Sequence, residues 1–345
     1  MAGGPTTPEL AAAVSDAGGL GFLAAGYRTP PSLAEQLAAT RALTDAPFGV
    51  NLFAPSGRPA APAALAAPLA AIAPEAAAVG AEVGTPRFDD DGFAAKLALL
   101  RDDPVPVVSF TFGCPAADAV AALHAVGSAV WVTVTRPDEA RVAAEAGADA
   151  LIVQGSEAGG HRGTFADGPE VEELGLLALL QLVRAAVDRP LVAAGGIMTG
   201  AGIAAALAAG ADAAQLGTAF LRCPEAGTWD GHRQALAGDA GTALTRAFTG
   251  RAARGLRNRF LREHSAGAPV AYPEIHHATA PLRAAARAAG DGERVNLWAG
   301  QAYPLAREQP AAALAAALAA DARAALAAAA GRFGSGPAAA QGTRS

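Results

Sequence analysis

Lysine is almost absent from this chain of 345 residues: Lys96 is the single one, and arginine supplies the remaining positive charge. A Schiff-base or P-loop lysine would therefore have to be Lys96, which lies inside an expected helix, Phe93–Arg101, a poor place for either. Aromatic residues make up only 5% of the chain, so few rings are available to stack on bases. The net charge is −6 and no basic stripe runs along the sequence, which removes the electrostatic footprint of a nucleic-acid binder. The two cysteines, Cys114 and Cys223, stand far apart without metal-ligand spacing and read as free thiols in a reducing, cytoplasmic setting. No run of about 18 apolar residues free of charge, glycine and proline reads as a membrane span. The alanine-rich stretch Ala311–Ala330 contains Asp321 and Arg323 and reads as a helix packed on a globular body. The start has no basic segment leading into an apolar core, so no secretory leader is expected. A G-x-G-x-x-G turn, a P-loop and H-E-x-x-H are all missing, and no carboxylate/His cluster has metal-ligand spacing, so no metal site is expected.

What is present is a rhythm. Hydrophobic residues make up 52% of the chain, enough for a sizeable core, though much of it is alanine, which buries little area per residue. Short apolar runs read as parallel strands buried on both faces: Leu20–Ala24, Phe48–Phe53, Val105–Phe110, Ala129–Thr133, Ala150–Gln154, Leu191–Ala194 and Ala213–Leu216. Helices are expected between them, near Thr7–Ala17, Ser32–Thr44, Asp89–Arg101, Ala116–Val126, Pro137–Ala146, Leu174–Val187 and Gly200–Ala209. Several open on a capping Thr or Asp and close on glycine, as at Gly18, Gly147 and Gly210. Glu145–Ala150 and Ala208–Ala213 nearly repeat each other, each a helix end, a tight turn and a strand entry. The pattern is α/β, and its regularity favours a TIM (β/α)8 barrel over a doubly wound sheet.

Seven strands are read where such a barrel needs eight. Met1–Gly4 resembles the end of a first strand and its loop, so the expectation is a barrel with its first strand truncated. Two segments break the rhythm. Ala54–Gly84 is rich in Ala and Pro and should hold one short helix. Arg222–Ala299 is irregular, rich in Arg and His, and reads as a small α-rich cap lobe inserted after the last strand. The expected organisation is thus a barrel over 1–221 and 300–332, a lobe over 222–299 and a disordered tail over 333–345.

In a barrel, chemistry gathers on the loops after the strands. Asn51 sits within an apolar strand, where an amide must find partners, either neighbouring backbone or a cofactor. Gln154 to Gly163 follows a strand directly, and its glycines, including Gly159 and Gly160, imply positive φ or close approach of a ligand. His161 stands between glycines rather than in a helix, so it is the catalytic candidate, as acid, base or donor. Glu157 reads equally as a solvated loop charge. Gly195-Gly196 and Gln215-Leu216-Gly217-Thr218 end the last two strands, where such barrels bind phosphate through backbone N–H groups. His124, His232, His264 and the adjacent pair His276-His277 read as surface or core residues. Trp298, Gln301 and Tyr303 are candidates for the pocket wall.

These segments resemble the nitronate monooxygenase family. The resemblance is carried by Met1–Gly4 with Thr7–Phe22, by Phe48–Phe53, Gln154–Gly163, Ala193–Ile197 and Gln215–Thr218, and in the lobe by Ala247–Arg251, Asn258–Phe260 and Leu297–Gln301. It implies a non-covalent FMN in the barrel mouth, touched by Met1, Ala2, Gly3, Asn51, Gln154, Gly159, Gly160, Gly195, Gly196 and the Gln215–Thr218 segment. His161 resembles the family's active-site histidine. The implied reaction is oxidation of an alkyl nitronate, of the propionate 3-nitronate type, by O2 to a carbonyl compound and nitrite. A flavin-dependent NAD(P)H reductase of enoyl thioesters or quinones shares the fold and is the alternative. The expected partners are small molecules only, with no nucleic acid and no membrane, in a monomer or homodimer.

Overall fold

Each helix here starts where the sequence can terminate its free N–H groups and stops where the chain must turn back into a strand. Thr7, Thr29 and Thr199 accept from the backbone N–H three residues on, and prolines occupy the first turn of several helices. The computed structural model describes residues 1–334 apart from 56, 169, 171 and 172. In chain order the elements are α1 (Pro8–Asp16), β1 (Gly21–Ala24), α2 (Pro30–Leu43), β2 (Phe48–Phe53), α3 (Pro62–Ala78), α4 (Phe93–Asp102), β3 (Val107–Thr111), α5 (Ala117–His124), β4 (Ala129–Val134), α6 (Pro137–Glu145) and β5 (Ala150–Gln154). They continue with β6 (Gly160–His161), α7 (Leu176–Ala186), β7 (Leu191–Ala194), α8 (Gly200–Ala208), β8 (Ala213–Gln215), α9 (Asp230–Ala235), β9 (Thr242–Thr245), β10 (Ala253–Leu256), α10 (Arg259–His264), α11 (Glu274–Ala288) and α12 (Ala311–Gly334).

Seven strands, β1-β2-β3-β4-β5-β7-β8, pair in parallel in that order, giving a curled sheet of TIM-barrel type with helices outside. Outward-pointing Val50, Leu52, Val108, Phe110, Val130, Val132, Leu151 and Val153 pack on Leu33, Leu37, Leu100, Leu123, Leu179 and Val183 of the helices to form the main core. The sheet is open between β8 and β1. At that seam Ala213 is exposed, and inside the sheet the inward-facing rings of Phe22 on β1 and Trp131 on β4, 5.7 Å apart, are only half-buried.

The 222–299 segment carries α9, α10 and α11 together with β9 and β10, which join β6 of the His161 loop in a three-stranded antiparallel sheet. That sheet bolts the lobe over the carboxyl ends of the barrel strands. The Ala54–Gly84 excursion holds a 17-residue helix, longer than the short one expected, although Pro68 and Pro74 each delete a backbone hydrogen bond. Its Ile72 and Ala76 dock into the lobe core with Phe248, Phe260 and Leu282, which compensates for the prolines. α12 is long and apolar enough to cross a membrane by length and composition. Here Leu314, Leu318 and Ala322 pack inward, and α8 comes so close that a Cβ on Gly200 would meet the Ala322 nitrogen at 2.4 Å. Phe333 and Gly334 form the last turn of this helix, while the rest of the expected tail, 335–345, lies outside the described residues.

Candidate active site

The inward face of the sheet changes character toward its carboxyl end. Lower layers present Phe22, Val107 and Trp131, whereas the mouth presents Asn51, Ser109, Thr111, Thr133, Gln154 and Gln215. Asn51 Nδ2 donates to Ser109 Oγ at 2.9 Å and to Thr111 Oγ1 at 3.0 Å, and the Thr111 and Thr133 hydroxyls lie 3.3 Å apart. Gln154 Nε2 donates to the His161 carbonyl at 3.1 Å, while Gln154 Oε1 accepts from Gly163 N at 2.8 Å and Arg162 Nη1 at 3.2 Å. Gln154 thereby closes the loop that carries His161. The Gln215 side chain is half-buried and has no hydrogen-bond partner among the described residues.

At the end of β7 the backbone takes shapes only glycine accepts easily. Gly195 has φ +118° and Gly196 +67°, and a Cβ on Gly196 would meet Glu157 Cβ at 2.9 Å. The N–H groups of Gly195, Gly196, Leu216 and Gly217 donate to no acceptor among the described residues. Thr218 Oγ1 accepts from Gly300 N at 3.0 Å and so anchors the chain that returns from the lobe. Met1 lies against this turn: its sulfur would sit 3.5 Å from a Cβ on Gly217. Ala2 follows it half-buried, and Gly3 is exposed with φ +82°.

The two loop glycines differ. A Cβ on Gly159 would meet the Ala299–Gly300 backbone at 2.5 Å, so packing alone requires glycine there. Gly160, with φ +77°, has open space over the same position. Glu157 is not solvated: both its oxygens accept from Leu176 N, capping α7.

His161 is half-buried, with Nε2 2.9 Å from Thr249 Oγ1. Phe112 meets the ring edge-on at 5.7 Å, and Tyr272 and Trp298 lie 5.7 and 5.5 Å away. Burial first, then the positive charges of Arg251 and Arg283, pull its pKa down to about 3, so the ring is neutral near pH 7. The Thr249 hydroxyl also reaches the Arg251 carbonyl at 3.3 Å. When its proton goes there, His161 Nε2 must carry the ring proton and Nδ1 presents its lone pair. Arg251 itself lies over Phe112, 4.0 Å from the ring centroid.

Beyond Phe112 and Tyr272 opens a recess of about 460 Å³, walled by Tyr27, Phe53, Phe112, Tyr272 and His276 and rimmed by Arg28 and Arg87. Nothing in the sequence singled out Tyr27 and Phe112, yet Phe112 directly follows β3 and Tyr27 lies in the loop after β1, positions where a barrel keeps its function. Both have positive φ, +66° and +79°. Tyr272 and His276 carry no such signal, since only the docking of the lobe brings them here. His276, read from sequence as surface or core, stands half-buried in the recess wall with its ring stacked on Tyr27 at 4.2 Å. His277 bonds Asp89 at 2.8 Å. Trp298 packs beside His161 without lining the recess, whereas Tyr303 is 2% exposed and its hydroxyl accepts from Gly241 N, and Gln301 is exposed.

Lys96 is 1% exposed, ion-paired with Asp91 at 2.6 Å and donating to the Ala25 carbonyl at 2.9 Å, so it braces the Asp91 loop. Glu75, Glu263 and His264 bring ligand atoms within 4.8 Å of one another in the lobe, but Arg259 and Arg294 bind both Glu75 oxygens.

The family model described as nitronate monooxygenase matches residues 1–321. A nitronate monooxygenase of Pseudomonas aeruginosa is 45% identical over 322 residues, 90% of this chain and 91% of its own length. The crystal structure of a nitroalkane oxidase from Streptomyces ansochromogenes is 54% identical, with a TM-score of 0.93 over 95% of each chain. FabK from Thermotoga maritima is 28% identical, with a TM-score of 0.69 over 96% of this chain and 92% of its own.

Proposed function

The chain belongs to the nitronate monooxygenase family of oxidoreductases, and on that premise we propose that it oxidises alkyl nitronates with O2, using FMN held across the barrel mouth. The proposed products are a carbonyl compound and nitrite, with propionate 3-nitronate as the type substrate.

The observation that carries this reading is the set of unpartnered N–H groups at Gly195, Gly196, Leu216 and Gly217. They sit at the carboxyl end of the sheet, the end that also bears His161. Main-chain donors at two adjacent strand ends suit a phosphate dianion and need no lysine, which matches a chain with only one. The unpartnered Gln215 amide and the half-buried Met1, Asn51, Gln154 and Gly160 suit a flat polar ring laid over the mouth. The residues present therefore fit FMN, and Gly159 acts by packing the loop rather than by contact.

Bound there, the flavin supplies electron transfer between nitronate and oxygen. The chain's own residues do the rest. His161, neutral and fixed by Thr249, donates a hydrogen bond to the substrate from Nδ1 when the Thr249 hydroxyl turns its proton to Nε2, and does so without carrying charge. Phe112, Tyr272 and Trp298 wall it from water, which strengthens that bond. Arg251, held under Phe112, adds positive potential that favours an anionic substrate.

An anaerobic visible spectrum tests the reading. The purified protein should show a flavin band that changes on adding propionate 3-nitronate and not on adding NADH. Reduction by NADH alone would replace it with the second reading, a flavin-dependent NAD(P)H reductase of enoyl thioesters or quinones. A folded protein without flavin would overturn both.

A further inference from the structure

Arg283 carries a positive charge that has entered so far only as one of the two that depress His161. It is half-buried on α11, behind the wall of the recess. Its guanidinium is held entirely by neutral acceptors: Nε donates to Thr279 Oγ1 at 3.0 Å and Nη1 to Asn296 Oδ1 at 3.0 Å. Nη2 donates to the His276 carbonyl at 2.9 Å and to His276 Nδ1 at 3.3 Å. No carboxylate pairs with it among the described residues. A guanidinium out of bulk water normally finds a counter-ion, because desolvation is otherwise uncompensated.

The contact with His276 has a chemical consequence. Arginine can only donate, so His276 Nδ1 must accept, and the ring proton is confined to Nε2. That N–H has no partner among the described residues and is not sealed off. Next to it, Tyr272 donates to the Tyr27 hydroxyl at 3.2 Å, which leaves the Tyr27 O–H free to donate in turn. The recess wall thus presents two neutral donors backed by a fixed cation. The nearby carboxylates are already engaged: Asp91 by Lys96, Asp89 by His277 and Arg87, and Asp90 by Gly92 N.

We propose that Arg283 is a positioning residue that makes this recess anion-selective: it fixes His276 as an Nε2–H donor and supplies the unpaired charge by which the site prefers a nitronate to its neutral nitroalkane. The proposal rests on the nitronate-oxidising reading for its substrate but not for its charge preference. The test therefore has a binding arm and a turnover arm, both on the flavin-loaded protein. In the first, calorimetry compares propionate with propionamide, which are close in shape and differ in charge. The wild type should bind propionate about tenfold or more tighter, and Arg283→Met and His276→Phe should each remove most of that margin. His276→Phe keeps the stack on Tyr27 and so serves if Arg283→Met does not fold. In the second arm, kcat/KM for ethyl nitronate should fall about tenfold more than that for nitroethane in Arg283→Met, with Arg283→Lys in between. Equal binding of the two ligands by the wild type, or equal losses for both substrates in the variants, would overturn the proposal. A wild type that prefers propionate yet oxidises no nitronate would overturn the functional reading and leave the anion preference standing.

Discussion

His161 is an ordinary imidazole made unusual by its neighbours. Three aromatic rings and two arginines leave its protonated form poorly solvated and repelled, and its pKa falls to about 3. The nitronate kcat/KM should therefore show no inflection from this residue between pH 5 and 9, and His161→Gln should lower kcat about a hundredfold by losing a placed hydrogen bond. A pH–rate profile checks this; an inflection near 6.5 that vanishes in His161→Gln would contradict it. The histidine was legible because glycines surround it where a barrel does its chemistry. Its partner Thr249 was not, since 88 residues separate them and only the pairing of β6 with β10 joins them.

Among the elements, the β7–α8 turn shows most directly how local sequence sets a site. Gly195-Gly196 permits two successive positive φ values, which leave two N–H groups without an acceptor among the described residues. Gly196→Ala would place a methyl 2.9 Å from Glu157 Cβ in a conformation that alanine rarely adopts. It should cost about 1–2 kcal/mol of stability and weaken FMN binding at least about tenfold. Denaturant melts of the apoprotein and a flavin titration would separate the two effects; unchanged FMN affinity would remove this turn from the phosphate site. The turn could be read from sequence because glycine's meaning is local. The function of Gly159 could not: the same residue type there serves the approach of Ala299–Gly300, which no nearby residue announces.

Across the whole molecule, stability depends on groups that the fold keeps deprotonated and acid protonates. Arg259 and Arg294 bind both Glu75 oxygens, joining α3 to the lobe, and hold the Glu75 pKa down to about 2. His161, His232 and His276, deprived of water, are depressed to about 3, 4 and 2. For each of these groups the unfolded chain takes up protons that the folded chain refuses. Stability is thus complete above about pH 6.5 and is lost as pH falls, first through the histidines and below about 4.5 through Glu75 as well. Calorimetric Tm should drop steadily from pH 6.5 to 3. Glu75→Gln should cost about 2 kcal/mol at pH 7 and progressively less toward pH 2, because only the ionised carboxylate binds the arginines. A Tm independent of pH across that range would refute the assignment.

The strand-and-helix alternation, the polar residues at strand ends and the glycine turns were all readable from the chain alone, because each follows from periodicity and backbone sterics within a few residues. The chain also carried the family resemblance and the count of seven strands, which the open β8–β1 seam bears out. The docking of distant segments set that α3 joins the lobe, that Tyr272 and His276 wall the recess, and that Arg283 lies behind it with no counter-ion among the described residues. Those facts depend on how a lobe nearly two hundred residues downstream of β1 docks on the barrel, where burial and long-range pairing, not local preference, set the outcome.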